Sequence, residues 1–323
     1  MIPKLQIYSA IWFKTLLKLA AFFALLYFLF RMFQTKTSQQ EWFSIINNFG
    51  VKEIGGCLLV IAFMPLNWAF EAKKWQLLLT KIHKTNFVNS YKSVIWGATL
   101  GNLSPFMIGD FVGRLRGIPN RMKTKAGMGL LLGNGMQMFV LLIFARFGYD
   151  TLYYASEISL SAPNQLIRHV LMALLVLGIL VFTKAVKIPK YTKNSRFQIM
   201  NILDEYSKST IGILFVWAIL RHVIFTFQFV ILLWVFKVDL SVTILVSLVS
   251  IIFLFKTLGA TLGMFGDMLS RQLSAAYFFG LYAVSIEPVL AATTLLWIIN
   301  IFVPMFIGSF LIFSRKTANL NEA

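Results

Sequence analysis

GATLGNLSPFMIGDFVGR, residues 97–114, would make a poor membrane helix, yet it stands among long apolar runs. Gly97, Gly101, Gly109 and Gly113 interrupt it, together with Asn102, Pro105 and Asp110. The pentapeptide GATLG returns at 259–263, opening GATLGMFGDMLSR, residues 259–271. In both copies a Gly-Asp pair follows and an arginine stands four residues after the aspartate: Asp110 with Arg114, Asp267 with Arg271. That spacing puts both side chains on one helical face, where they can pair. The second copy is five residues shorter between GATLG and Gly-Asp, and the shared Gly-Asp-x3-Arg points to an internal repeat. Paired, glycine-interrupted segments in two halves of a membrane protein mark a transporter's binding site. Small residues also let helices pack closely, and the two uses are compatible.

The rest of the chain sets the class. Of 323 residues, 58% are hydrophobic and 13% charged, well outside the balance of soluble domains. A bilayer core of about 30 Å takes roughly 20 apolar residues as helix. Runs at about 15–34, 54–71, 126–147, 164–184, 209–236, 240–256 and 289–313 fit that length. They are continuously apolar, without the two-residue alternation of a membrane barrel. The expectation is one all-α polytopic membrane domain over 1–323, with about seven or eight transmembrane helices plus one or two re-entrant or broken helices.

The charges orient it. A net charge of +18 suits basic cytoplasmic loops, so no nucleic-acid partner is expected. Lys4, Lys14 and Lys18 place the N-terminus inside, with no cleavage pattern after the first apolar run. Lys73, Lys74, Lys81, Lys84 and Lys92 place the next loop inside, and Arg315 and Lys316 do the same for the C-terminus. The stretch 148–163 has no Lys or Arg and suits the outside, whereas Lys184, Lys187, Lys190, Lys193 and Arg196 return the chain to the cytoplasm. Segment 97–114 has basic flanks on both sides, Lys92 before it and Arg116, Arg121, Lys123 and Lys125 after it. It is therefore read as a half-depth hairpin turning near Asn102-Leu103-Ser104-Pro105, which implies a polar cavity to satisfy its backbone. For the second copy, 240–256 is taken to end inside at Lys256, so that charge favours a cytoplasmic approach for both motifs. An approach from outside would follow if 209–236 were two segments.

Charged residues at membrane depth are costly and face a cavity or a partner. Arg221 lies near the middle of an apolar run. It is read either as the partner of Asp110 or Asp267, or as a bidentate ligand for a headgroup phosphate. Glu71 is read as interfacial, and Asn67 and Asn134 as hydrogen-bonding across helices or to opened backbone. Catalytic readings lack their parts. His83, His169 and His222 are scattered, Cys57 is the only cysteine, and no zinc spacing, Gly-x-Ser-x-Gly elbow or Walker loop occurs. No enzyme activity, metal or cofactor is expected.

The pattern Asn102-Leu103-Ser104-Pro105-x3-Gly109-Asp110-x3-Arg114, the upstream Lys74-Trp75 and the downstream Gly263-x2-Gly266-Asp267 resemble the lysylphosphatidylglycerol synthase transmembrane region, a flippase-like membrane domain. The resemblance runs over nearly the whole chain. It departs from the family at Asp110 and Asp267, where glutamate is usual, at Lys74, where arginine is expected, and at Lys256-Thr257-Leu258, which replaces a proline-rich approach. The resemblance implies a multi-pass inner-membrane (plasma-membrane) protein that moves a phospholipid between leaflets. A stand-alone form is expected, with no soluble synthetase-like domain following.

The expected activity is translocation of a phospholipid or lipid-linked substrate through a polar path. Its candidate substrate-binding residues are Asn102, Pro105, Asp110, Arg114, Arg221, Asp267 and Arg271. The expected partners are a membrane lipid, anionic or zwitterionic, a separate synthetase or energy-coupling protein, and a second copy of the chain in a homo-oligomer. Two alternatives stay open: an embedded enzyme acting on a lipid-linked phosphate, and a non-transporting assembly partner of a lipid-modifying enzyme.

Overall fold

The computed structural model describes residues 49–155, 163–182 and 205–320, with positions 43 and 47. The apolar run at 15–34 and the basic residues from Lys184 to Arg196 lie outside the described residues. Among the described residues the chain is helix and turn with no strand. Five stretches are long and apolar enough to cross a membrane: Val51–Leu79, Asn120–Tyr154, Lys208–Val235, Val242–Leu262 and Ile286–Leu311. The protein is thus an all-α, multi-pass membrane protein.

In chain order the helices are α1 (Val51–Leu79), α2 (Phe87–Asn102), α3 (Ile108–Arg114), α4 (Asn120–Ala155), α5 (Pro163–Phe182), α6 (Lys208–Val235), α7 (Val242–Gly259), α8 (Met264–Gly280), α9 (Ile286–Trp297) and α10 (Val303–Leu320). Short 3₁₀ turns at Pro105–Met107 and Ala260–Leu262 separate α2 from α3 and α7 from α8. Side-chain caps set several starts: Asn86 accepts from the Asn89 amide at 2.8 Å, and Ser207 from Thr210 at 3.1 Å.

α1 and α6 lie side by side and antiparallel. Gly56 of α1 sits against Ile231 and Val235, Gln228 donates to the Val60 carbonyl at 2.8 Å, and the Tyr206 hydroxyl before α6 donates to the Leu78 carbonyl at 2.7 Å. One end of this pair therefore carries Leu79, Tyr206 and the starts of α2 and α4, with Lys125 paired to Glu205 at 2.9 Å. It is the basic end of the bundle. The other end carries Val51 and Phe236, joined by the Glu53–Lys237 ion pair.

From these two ends the two motifs set out in opposite directions. The loop after α1 starts α2 at the basic end, and α3 returns beside α2 to that end. The loop after α6 starts α7 at the opposite end, and α8 returns beside α7. The two 3₁₀ turns meet. A Cβ on Gly263 would stand 3.2 Å from the Asn102 carbonyl oxygen, so the contact is backbone to backbone. α9 and α10 then run toward the basic end, where Gly308 packs on Thr99 and Ile95 of α2. Helix, hairpin, helix thus occurs twice in opposite orientation: α1, α2–α3, α4 and then α6, α7–α8, α9–α10.

For the second motif this arrangement differs from the approach that charge counting favours and agrees with the alternative direction. Segment 240–256 is one arm of a hairpin, and it approaches from the end opposite the first motif although 208–235 is a single unbroken helix. The misleading residue was Lys256. It does not mark a boundary, because its ammonium points to Asp267 inside the protein at 3.4 Å.

Glycine makes both hairpins tight. A Cβ on Gly113 would strike the backbone of Gly97, and a Cβ on Gly259 would strike Ser270 and the Gly266 carbonyl. Two apolar cores flank the tips. One gathers Trp75, Leu130, Met136 and Leu214; the other gathers Phe229, Leu248, Phe253 and Leu296. Along α6 the first core ends at Ala218 and the second holds Phe229 onward, so Arg221 and His222 fall at the seam.

Candidate substrate-binding site

The seam between the cores is charged. Glu71, eight residues before the end of α1 and so about 12 Å inside it, is only 3% exposed and receives three cations. Lys74 reaches one of its oxygens at 2.9 Å, Arg221 approaches the same oxygen at 3.2 Å, and Arg114 donates to the other at 2.8 Å. Arg114 also donates through Nε to Asp110 at 2.7 Å, closing the pair its spacing suggested. Lys74 donates further to the Gln137 side-chain oxygen at 3.0 Å, and Gln137 donates to the Ala218 carbonyl at 3.3 Å. Two helices and the first hairpin are tied at one carboxylate, and Lys74 extends the link to α4.

The second hairpin builds a smaller counterpart. Arg271, with no exposed surface, donates to Asp267 at 2.8 Å, and Lys256 faces the other oxygen of that carboxylate. The ring of Phe225 joins the two groups: Lys256 lies 5.2 Å and Arg271 5.7 Å from its centroid, and Arg221 is one turn before it on α6. Counted together, five cations (Lys74, Arg114, Arg221, Lys256, Arg271) face three carboxylates (Glu71, Asp110, Asp267), leaving a surplus of two positive charges.

Hydrogen bonding is unbalanced in the same sense. Nε of Arg221, Nε and Nη1 of Arg271, and Nε2 of His222 are buried without partners. His222 is packed between the rings of Phe144 at 4.3 Å and Phe253 at 5.9 Å. A buried guanidinium N–H left unmatched is expensive, and an anion with several oxygens is the ligand that matches a guanidinium fork best.

The expected site residues divide into two sets. Asp110, Arg114 and Arg221 come together around Glu71, and Asp267 and Arg271 pair beside them. Asn102 and Pro105 shape the first tip: the Asn102 amide donates back to Ala98 at 2.9 Å, and Pro105 begins the exposed 3₁₀ turn. Glu71 is not interfacial but the hub, and it is Arg221's partner in place of Asp110 or Asp267. Lys74, Gln137 and Lys256 were not among the expected site residues. The signal for Glu71 and Lys74 was their spacing of three on a helix that continues to Leu79. Asn67 bonds across helices to Asn300 at 3.2 Å, where a π turn at Ile298–Phe302 loosens the start of α10, while Asn134 is exposed. Among the described residues no group of three or more His, Cys, Asp and Glu side chains could hold a metal ion.

The fold and this seam define a multi-pass membrane protein with a cationic interior between two opposed broken hairpins. No known family and no curated protein matches the chain.

Proposed function

We propose that the protein moves a phosphate-bearing lipid between leaflets, with its headgroup passing the charged seam. The observation that carries this reading is the surplus of buried cations, with unmatched guanidinium N–H groups, on and beside two oppositely directed hairpins whose tips meet. Irregular backbone at membrane depth belongs beside a polar path, and opposed broken helices at mid-depth suit alternating access from the two faces. In this reading Arg114, Arg221 and Arg271 contact the phosphate, and Asp110, Asp267 and Glu71 hold those arginines until it arrives. The basic end is the cytoplasmic one, in a cell membrane, by the excess of lysine and arginine there. Most of the motif residues that resemble the lysylphosphatidylglycerol synthase transmembrane region lie in the two hairpins, with Lys74 and Trp75 beside them on α1, which fits a flippase-like activity.

The test is transbilayer movement of a headgroup-labelled phospholipid in proteoliposomes. Arg114→Gln and Arg271→Gln are expected to abolish movement while the protein still elutes as a folded species. Wild-type movement in both variants would overturn the assignment, and lipid conversion by the purified protein without leaflet exchange would replace it with an enzymatic one.

A further inference from the structure

At the basic end, outside the seam, the last turns of α1, the loop after it and Trp217 of α6 line an open groove of about 440 Å³. Its lining includes Lys73, Gln76, Lys84, Thr85 and Trp217, and no acidic residue. Lys73 and Lys84 are exposed, and neither pairs with a carboxylate among the described residues. The Lys73 ammonium lies over the Phe87 ring, 4.9 Å from its centroid, and Gln76 is fixed by its bond to the Thr85 carbonyl at 3.1 Å. Trp217, its ring tilted against that of Phe70 with centroids 5.5 Å apart, forms the apolar wall.

Two features tie this groove to a lipid. Ile213, Val216 and Leu220 form an exposed apolar stripe on α6 beside Trp217, a surface suited to acyl chains. Arg221 follows Trp217 by one helical turn, and its side chain is 25% exposed while those of Lys74, Arg114 and Arg271 are 7% or less. The groove wall thus lies one helical turn from the most accessible cation of the seam.

We infer that this groove is the loading site for an anionic phospholipid, with Lys73 and Lys84 on the headgroup and the acyl chains along α6. The inference rests on the translocation reading and names its substrate class. The lining offers two ammonium groups and no carboxylate to neutralise the amine of a zwitterionic lipid.

The experiment measures lipids retained by the full-length protein after extraction from vesicles of equal phosphatidylglycerol and phosphatidylcholine, by native mass spectrometry. A Lys73→Gln/Lys84→Gln double variant is expected to lose preference for phosphatidylglycerol on the order of tenfold, since each lysine near a membrane surface attracts anionic lipid measurably. Lys81→Gln/Lys92→Gln, the same charge change at the same end but outside the groove, is expected to keep it. Equal loss in both doubles would reduce the effect to general surface charge and overturn the site. Unchanged retention in the first double would overturn it as well, as would displacement of the lipid by excess inorganic phosphate. Leaflet exchange in the same vesicles separates the two readings. Selective retention without exchange refutes translocation and keeps the groove, whereas exchange without selective retention does the reverse.

Discussion

Replacing Glu71 by glutamine tests whether one carboxylate organises the seam. The change keeps the shape of the side chain and removes the charge that Lys74, Arg114 and Arg221 share at 2.9, 2.8 and 3.2 Å. The three cations do not suffer equally. Arg114 keeps Asp110, and Arg221 can swing outward from a side chain already 25% exposed. Lys74, only 1% exposed, keeps only neutral oxygens, that of Gln137 and that of the new amide. An uncompensated buried charge costs about 3–5 kcal/mol, so Glu71→Gln is expected to destabilise the protein by that amount. Asp110→Asn should cost less, about 2 kcal/mol, because it removes a single charged hydrogen bond and leaves Arg114 on Glu71. In the Glu71→Gln background, Lys74→Met removes the stranded charge and should restore about 2–3 kcal/mol, a coupling typical of residues in direct contact. The assay is denaturant unfolding in detergent micelles, followed by tryptophan fluorescence. A Glu71→Gln variant within about 0.5 kcal/mol of wild type, or no recovery on adding Lys74→Met, would refute the hub.

Close backbone approach in the second hairpin makes Gly259→Ala destabilising by about 1–3 kcal/mol, because its Cβ would strike Ser270 and the Gly266 carbonyl. Gly280→Ala, at a helix end with nothing within 4 Å, should be neutral to slightly stabilising, and the thermal midpoints of the two variants read the contrast. At the first tip Phe106 and Met107 both adopt left-handed backbone, with φ of 54° and 53°, where a side chain is disfavoured. Phe106 is 67% exposed, so Phe106→Gly loses little packing and should raise stability by about 1 kcal/mol; a lowered midpoint would show that the ring matters to the tip contact.

Much of this organisation was legible in residues 97–114 and 259–271. Glycine, asparagine and proline at close intervals cannot continue an apolar helix unaided, and an aspartate four residues before an arginine pairs on one face. Both features depend on local spacing alone, and both pairs form. The direction of the second hairpin was not legible, because charge counting assumes that a lysine at the end of an apolar run lies in water. Lys256 instead finds Asp267 eleven residues later, a tertiary pairing that local sequence does not encode. Glu71 was misplaced for the same reason. Lying near Lys73 and Lys74, it read as the edge of a span, but α1 continues two more turns to Leu79, and the arginines that neutralise Glu71 come from residues 114 and 221. Neither partner is near it in sequence.

The central claim is that two hairpins of like sequence descend from opposite faces and meet, since the seam carries its surplus of two positive charges only with both of them in it. Gly117, just after the first hairpin, and Gly280, at the end of the second, are both exposed, and neither has an atom within 4 Å of an added Cβ. Single cysteines there, in a Cys57→Ala background, can be labelled with a membrane-impermeant maleimide in sealed vesicles of defined orientation. Labelling of Gly117→Cys from one face only and Gly280→Cys from the other only is the expected result; labelling of both from the same face would contradict the inverted repeat and the translocation path built on it.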